Sequence, residues 1–254
     1  MTNERAFFDM LLIGWFVLSA VVFVLVFWIK APYGRHIRKG WGPVMPSIYG
    51  WMLMELPAVL VPLIFFSISH RTGDLVSIVF LSMWEVHYLY RTFIYPRRMN
   101  MYGKKIPVLI VSMGFVTNIG IGYLNARWLF AFSPSYALYW LYDPRFVFGL
   151  ICFLMGLTIH IHSDNILRKL RSRGDTAYKI PYGGAYRWVS CPNYMGEIIQ
   201  WLGWAMATWS LSGLAFAVWT FSNLAPRAYS HHQWYKDSFT EYPSERRALI
   251  PKAF

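Results

Sequence analysis

The chain has 254 residues, of which 56% are hydrophobic and only 14% charged, with 13 Trp, 17 Tyr and 19 Phe. An ordinary soluble domain carries about 25% charged residues, so this composition excludes one and points to the lipid bilayer. The formal net charge is +12, from 24 Lys and Arg against 12 Asp and Glu. Such an excess is common in nucleic-acid binders, but here the cations sit between long apolar runs, as membrane topology requires.

Seven apolar runs are expected to be membrane-spanning helices, at 7–29, 48–68, 75–95, 107–131, 146–163, 194–208 and 211–225. Several approach the ~20 residues that a helical crossing needs. The first run is too long for a signal-peptide core and has no small-residue cleavage pattern, so it is expected to be a retained span. The last two are short and separated only by Trp209 to Gly213, so one bent hairpin or one long helix would bring the count to six. Cys152 and Cys191 are too few to staple a fold. With no linker, repeat or low-complexity stretch, residues 1–254 are expected to form one all-α integral membrane domain. Its polar segments are 96–106, 164–193 and 226–254.

Between alternate spans, 30–40 and 96–106 carry four cations each, 166–190 carries six and 226–254 carries five. The opposite side holds only Arg5, Arg71, Arg127 and Arg145. This asymmetry puts the N-terminus outside and the C-terminus in the cytoplasm. Most of these cations need do no more than set that orientation.

Ionisable residues inside a span are functional candidates, because each is costly in lipid unless partnered. Glu55 is the first, with no cation within a helical turn of sequence. It is either chemical or a structural group that satisfies backbone freed by Pro57. In the third run Glu85 and Tyr88 are three apart and share a helix face, while His87 points elsewhere. Tyr88 is either an interfacial aromatic or a hydroxyl in need of a partner, for which Glu55 is a candidate. A tyrosine supported by a carboxyl group is suited to polarising a ligand carbonyl.

The fifth run ends in "HIHSDNILRKLR", where His160, Asp164, Arg168 and Arg171 form one stripe leading out of the membrane. His160 and His162 lie about 200° apart on a helix, which argues against a shared metal. Asn193 and Glu197, then Arg227, His231 and Tyr235, form two further stripes at spacings of four. Each stripe alone is explained by a solvated helix face. Together, three stripes at cytoplasmic ends favour a common polar site, and Arg with Tyr suits a phosphate-rich nucleotide. No G-x-G-x-x-G follows a strand, so no Rossmann site is expected.

These segments resemble the steroid 5α-reductases. The likeness runs from "PYGRH" at Pro32 through "ELP" at Glu55, "VHYLYRTFIY" from Val86 and "IHSDNILRKLR" from Ile161. It continues through "YKIPYGGAY" from Tyr178 and "NYMGEIIQWLGWAMATWSL" from Asn193, and reaches "RALIP" at Arg247–Pro251. The resemblance implies a seven-helix bundle that holds NADPH at its cytoplasmic side and reduces 3-oxo-Δ4-steroids. Glu55 and Tyr88 match the catalytic pair, in which the tyrosine hydrogen-bonds the 3-oxo group while hydride goes to C5 and a proton to C4. Cofactor positions match at Tyr33, Asp164, Arg171, Tyr178, Asn193, Glu197, Arg227, His231 and Tyr235. Trp51 and Trp201 match aromatics near the steroid and nicotinamide.

The chain departs from the pattern at several of these places. Lys104 and Lys179 stand where Arg is expected, which keeps charge but loses the forked donors. His160 replaces an expected Asn and Met54 an expected Gln. Trp219 and Asn223 replace an apolar steroid wall, and Glu85 has no counterpart. The expected partners are a steroid-like lipid and the bilayer, without metal or nucleic acid, for a monomer of the endoplasmic reticulum or of a bacterial inner membrane. Three rivals share parts of this pattern. A trans-2-enoyl thioester reductase needs room for a phosphorylated carrier. A membrane isoprenylcysteine methyltransferase leaves the cations at 168–179 unexplained. A sterol sensor needs neither the catalytic pair nor a nucleotide.

Overall fold

The computed structural model describes residues 2–29, 40–99, 101, 103–170 and 178–254. Two of the expected cofactor residues, Tyr33 and Arg171, lie outside them. The helices are α1 Thr2–Trp28, α2 Ser47–Ser67, α3 Leu75–Leu89, α4 Tyr95–Arg98, α5 Val108–Arg127, α6 Pro144–Lys169, α7 Pro192–Thr208 and α8 Leu211–Ser238. Each apolar run of the sequence falls on one of them. Among the described residues, four helical stretches are long and apolar enough to cross a membrane: Asn3–Trp28, Ser47–Ser67, Val108–Phe132 and Pro144–Lys169. Along α1, Phe7, Met10, Val17, Val21 and Val24 are exposed, a face that belongs in lipid rather than water. The chain is a helical membrane protein.

Two features depart from a plain helical reading. A short antiparallel ribbon pairs β1, Val44–Pro46, with β2, Lys105–Pro107. Each strand ends in a proline that caps the next helix, so α2 and α5 start side by side. The second is the break between α7 and α8. Trp209 adopts φ 43° and the Ser210 hydroxyl accepts from Gly213 N at 3.0 Å, capping a new helix. A single long helix over 194–225 is therefore excluded; α7 and α8 form a hairpin.

The fold divides into two compact units, Met1–Leu12 with Ala31–Phe146, and Ile13–Lys30 with Val147–Phe254. In the first, α2 packs along α5, where Gly114 admits Met54 and Gly122 admits Val61. Prolines in α2 open its hydrogen-bond ladder, and neighbours close it. Pro62 has no N–H to offer the Ala58 carbonyl, which instead accepts from Trp84 Nε1 at 2.7 Å. Arg127 grips Glu4 at 2.7–2.8 Å through two nitrogens, tying the start of α1 to α5. Arg71 donates to the Leu129 and Ser133 carbonyls, satisfying the end of the π-helical turn Trp128–Phe132.

The second unit is built on a crossing of α6 and α7. A Cβ on Gly149 would strike the backbone of Ala207, and one on Gly156 that of Gln200. From the other side, Gly196 faces the backbone of His160 and Gly203 that of Phe153. Four glycines spaced by seven in each helix thus bring two backbones together, as small residues do in membranes. Gly156→Val and Gly203→Val are each expected to destabilise by about 1–3 kcal/mol or to prevent folding. Gly14→Ala, whose Cβ meets nothing within 4 Å, should be neutral or slightly stabilising. Melting of detergent-purified variants checks both, and an unchanged melting point for Gly156→Val refutes the close crossing.

Candidate active site

In the first unit, Glu55 lies on α2 and is buried. Its Oε1 is 3.6 Å from Arg91 Nε, and its Oε2 accepts from Asn118 Nδ2 at 3.2 Å. Asn118 also donates to the Met54 carbonyl at 2.8 Å, which fixes the amide on α5 against α2. The Arg91 guanidinium lies over both Trp51 and Tyr95, 4.8 and 4.9 Å from their ring centres. The expectation of a carboxyl without a nearby cation is corrected here. The cation comes from the next helix, 36 positions away in sequence, where helical spacing does not reach.

Tyr88 is buried on α3, its ring 5.0 Å from both Trp84 and His87. The Trp84 indole is itself anchored to Ala58, so α2 holds the wall behind Tyr88. Just beyond, the helix widens into a π-helical turn at Tyr90–Ile94, which carries Arg91. Lys104 belongs to this unit, beside the ribbon, where its carbonyl accepts from Ser47 N at 2.9 Å.

In the second unit the close crossing brings two of the three stripes together. His160 Nε2 is 3.4 Å from Asp164 Oδ2, and its Nδ1 is 3.2 Å from the Asn193 carbonyl and 3.7 Å from Glu197 Oε2. Asn193 Nδ2 donates to Asp164 Oδ1 at 3.2 Å, closing the cluster. His160 and Asp164 are almost wholly buried. On α8, His231 Nε2 meets the Tyr194 hydroxyl at 3.3 Å, so the third stripe joins α7 one residue from Asn193. Arg227 and Tyr235 lie four residues to either side of His231 on that helix. Tyr178 packs edge-on to Trp234, and Trp234 to Tyr235, both at 5.1 Å. Lys179 follows Tyr178 in the same segment.

Of the expected steroid-side residues, Trp201 is fully buried with Phe216 at 4.3 Å, and Trp219 packs at a tilt against Trp15 at 5.5 Å. Asn223 returns its amide to the Trp219 carbonyl at 3.0 Å. Trp51 and Met54 belong to the first unit, beside Glu55.

Sequence reasoning missed Arg91 and Asn118 as partners of Glu55. Asn118 had a signal, an amide inside an apolar run. It also missed a buried network in which the Ser190 hydroxyl meets His232 Nδ1 at 2.7 Å and the Tyr242 hydroxyl at 2.6 Å. Tyr186 is buried near Asp164, and burial first, then that carboxylate, pushes its hydroxyl well above the ordinary tyrosine range.

A family model described as 3-oxo-5-alpha-steroid 4-dehydrogenase matches residues 104–254. The chain is 38% identical to Steroid 5-alpha-reductase DET2 of Arabidopsis thaliana, over 98% of this chain and 97% of that protein. It is 42% identical to 3-oxo-5-alpha-steroid 4-dehydrogenase 1 of Homo sapiens, over 87% of this chain and 86% of that one. The chain belongs to the steroid 5-alpha-reductase family. It is thereby an oxidoreductase of steroid metabolism.

A reductase of this family needs a nicotinamide dinucleotide or an equivalent reductant, and the second unit has groups that fit one. Phosphates call for cations and rings for aromatic faces. Arg168 Nε and the Ser163 and Tyr186 hydroxyls are buried without hydrogen-bond partners among the described residues, although they border the His160–Asp164 cluster in sequence or in space. Buried polar atoms are rarely left so unless a ligand completes them.

His232 gives this unit a pH signature. Burial first, then Lys236 and Arg247, hold the imidazole below its ordinary value of 6.5. The folded protein therefore binds fewer protons than the unfolded chain as pH falls through that value, and stability drops. Melting temperature is expected to decline from about pH 7 to about pH 5, with a shallower slope in His232→Gln. An identical slope in the variant assigns the decline to other groups.

Proposed function

We propose that the chain reduces the Δ4 bond of 3-oxo-Δ4-steroids, adding hydride at C5 and a proton at C4 and leaving the 3-oxo group in place. NADPH, when bound, supplies the hydride. The single observation that carries this reading is the family membership over nearly the whole chain. The geometry of each unit supports it.

Tyr88 donates its hydroxyl to the steroid 3-oxo group and stabilises the negative charge that develops there. Glu55 supports Tyr88, and Arg91 with Asn118 fix the position of that carboxyl. Trp51, Met54, Trp201, Trp219 and Asn223 contact the steroid and the nicotinamide. The cations Lys104, Arg168, Arg171, Lys179 and Arg227 hold phosphates. His160, Asp164, Asn193 and Glu197 hydrogen-bond the polar groups of the cofactor, while Tyr33, Tyr178, His231 and Tyr235 supply ring and hydroxyl contacts. The apolar helices exclude water from the reacting atoms.

The same reading takes all seven runs as spans of a single membrane domain, with the N-terminus outside and the C-terminus in the cytoplasm. It makes the protein a monomer that needs neither metal nor nucleic acid. Its membrane is the endoplasmic reticulum in a eukaryote and the inner membrane in a bacterium.

Purified protein with NADPH is expected to convert progesterone or testosterone to a product two hydrogens heavier that keeps its 3-oxo group. Deuterium from labelled NADPH should appear at C5. No reduction with either NADPH or NADH refutes the reading. Glu55→Gln and Tyr88→Phe are each expected to lower kcat at least about 100-fold while NADPH still binds. Loss of NADPH binding in both would assign them to folding. Arg227→Ala is expected to weaken NADPH binding about tenfold or more, and an unchanged affinity would remove it from the phosphate contacts.

A further inference from the structure

The first unit has six carboxyl side chains, and five have partners. Glu4 pairs with Arg127, Asp9 with Arg5, Glu55 with Arg91, and Asp143 with Arg145, while Asp74 caps α3. Glu85 is the exception. It is only 8% exposed, and among the described residues neither carboxyl oxygen has a hydrogen-bond partner. It lies one turn before Tyr88 on the same face of α3.

One turn beyond Tyr88, Thr92 repeats the pattern. It is fully buried, and its hydroxyl is unpartnered among the described residues. Helical hydroxyls usually return to the carbonyl four residues back, as Ser19, Thr158 and Thr208 do here at 2.7, 2.8 and 2.9 Å. Thr92 sits instead in the π-helical turn Tyr90–Ile94, a distortion that helices often place at functional positions. Two unsatisfied polar groups thus flank the tyrosine on one stripe. Such groups lower stability and persist where a ligand satisfies them.

On the reductase reading above, we infer that Glu85 is a substrate-binding residue that hydrogen-bonds a second oxygen of the steroid. The substrate this chain prefers is then a 3-oxo-Δ4-steroid with a hydroxyl on ring A or B. Three helical residues rise about 4.5 Å, so a group that reaches Glu85 while the 3-oxo group meets Tyr88 lies close to the enone. A hydroxyl can donate to a carboxyl oxygen, so it satisfies Glu85. A steroid without that hydroxyl leaves Glu85 unsatisfied, and sites built this way reject the deoxy analogue strongly.

The test uses the full chain in lipid nanodiscs and compares progesterone with its 2-, 6- and 7-hydroxy derivatives. Equilibrium dialysis reads binding, and NADPH-dependent turnover reads kcat/KM. At least one hydroxylated steroid is expected to bind and react about tenfold or more better than progesterone. Glu85→Leu should erase that preference, bringing the hydroxylated steroid down to the level of progesterone, while raising the melting temperature because an unsatisfied buried group is gone. Glu85→Gln should keep most of the preference. The inference is overturned if wild type treats all four steroids alike, if Glu85→Leu weakens all of them equally, or if it lowers the melting temperature. Loss of turnover in Glu85→Gln with unchanged binding also overturns it, and makes Glu85 a proton donor. If progesterone is reduced without any preference, the reductase reading stands and this inference alone fails. If no steroid is bound or reduced, both fall.

Discussion

The backbone contact between α6 and α7 is the constraint on which the second unit depends. Gly149 and Gly156 face Gly203 and Gly196, and no Cβ fits between the helices. At ordinary helix separation, the His160 ring would not reach both the Asn193 carbonyl and the Glu197 carboxyl. The glycines therefore do more than pack. They convert two separate polar stripes into one cluster with distances of 3.2–3.7 Å. A polar cluster in a membrane helix pair is costly unless its members satisfy one another, and the short crossing is what permits that.

The first unit solves a related problem with prolines. Pro57 and Pro62 remove donors from the ladder of α2, and Trp84 supplies one in return at Ala58. The same interface carries Asn118 from α5 to the Met54 carbonyl and to Glu55. One amide thus satisfies the backbone of α2 and orients its carboxyl. Helix repair and site geometry are coupled: a substitution that disturbs the Asn118 amide would release the backbone and the acid together.

Much of this was legible in the sequence. Apolar runs located every long helix, because the cost of unsatisfied backbone in lipid leaves helices as the only local solution. Spacings of four located His160 with Asp164 and Asn193 with Glu197, since contact within a helix follows its period. What stayed hidden was non-local. Nothing in the spacing of Glu55 announces Arg91, which arrives from another helix through a π-helical turn. The ribbon of Val44–Pro46 with Lys105–Pro107 is too short and too far apart in sequence to show a strand pattern. The break between the sixth and seventh runs was read from the sequence with one long helix left open, because a left-handed tryptophan carries no sequence mark of the kind glycine does. The glycine repeat in α6 and α7 was readable, but its meaning requires knowing that the two helices face each other.

Glu55 and Glu85 show why burial alone does not assign a role. Both are carboxyls 8% exposed within one unit, and helical position alone would rank them alike. Their surroundings separate them. Glu55 is held from two sides by Arg91 and Asn118, so its position is fixed before any ligand arrives, which suits a group that must orient another side chain. Glu85 has no such hold, so it gains most from whatever enters beside it. A preorganised acid and an unsatisfied one on neighbouring helices divide the work of recognition. On the proposed reading, the first serves the reduction and the second a choice among substrates. A position where a buried group lacks a partner among the described residues is where a difference in substrate is most economically written.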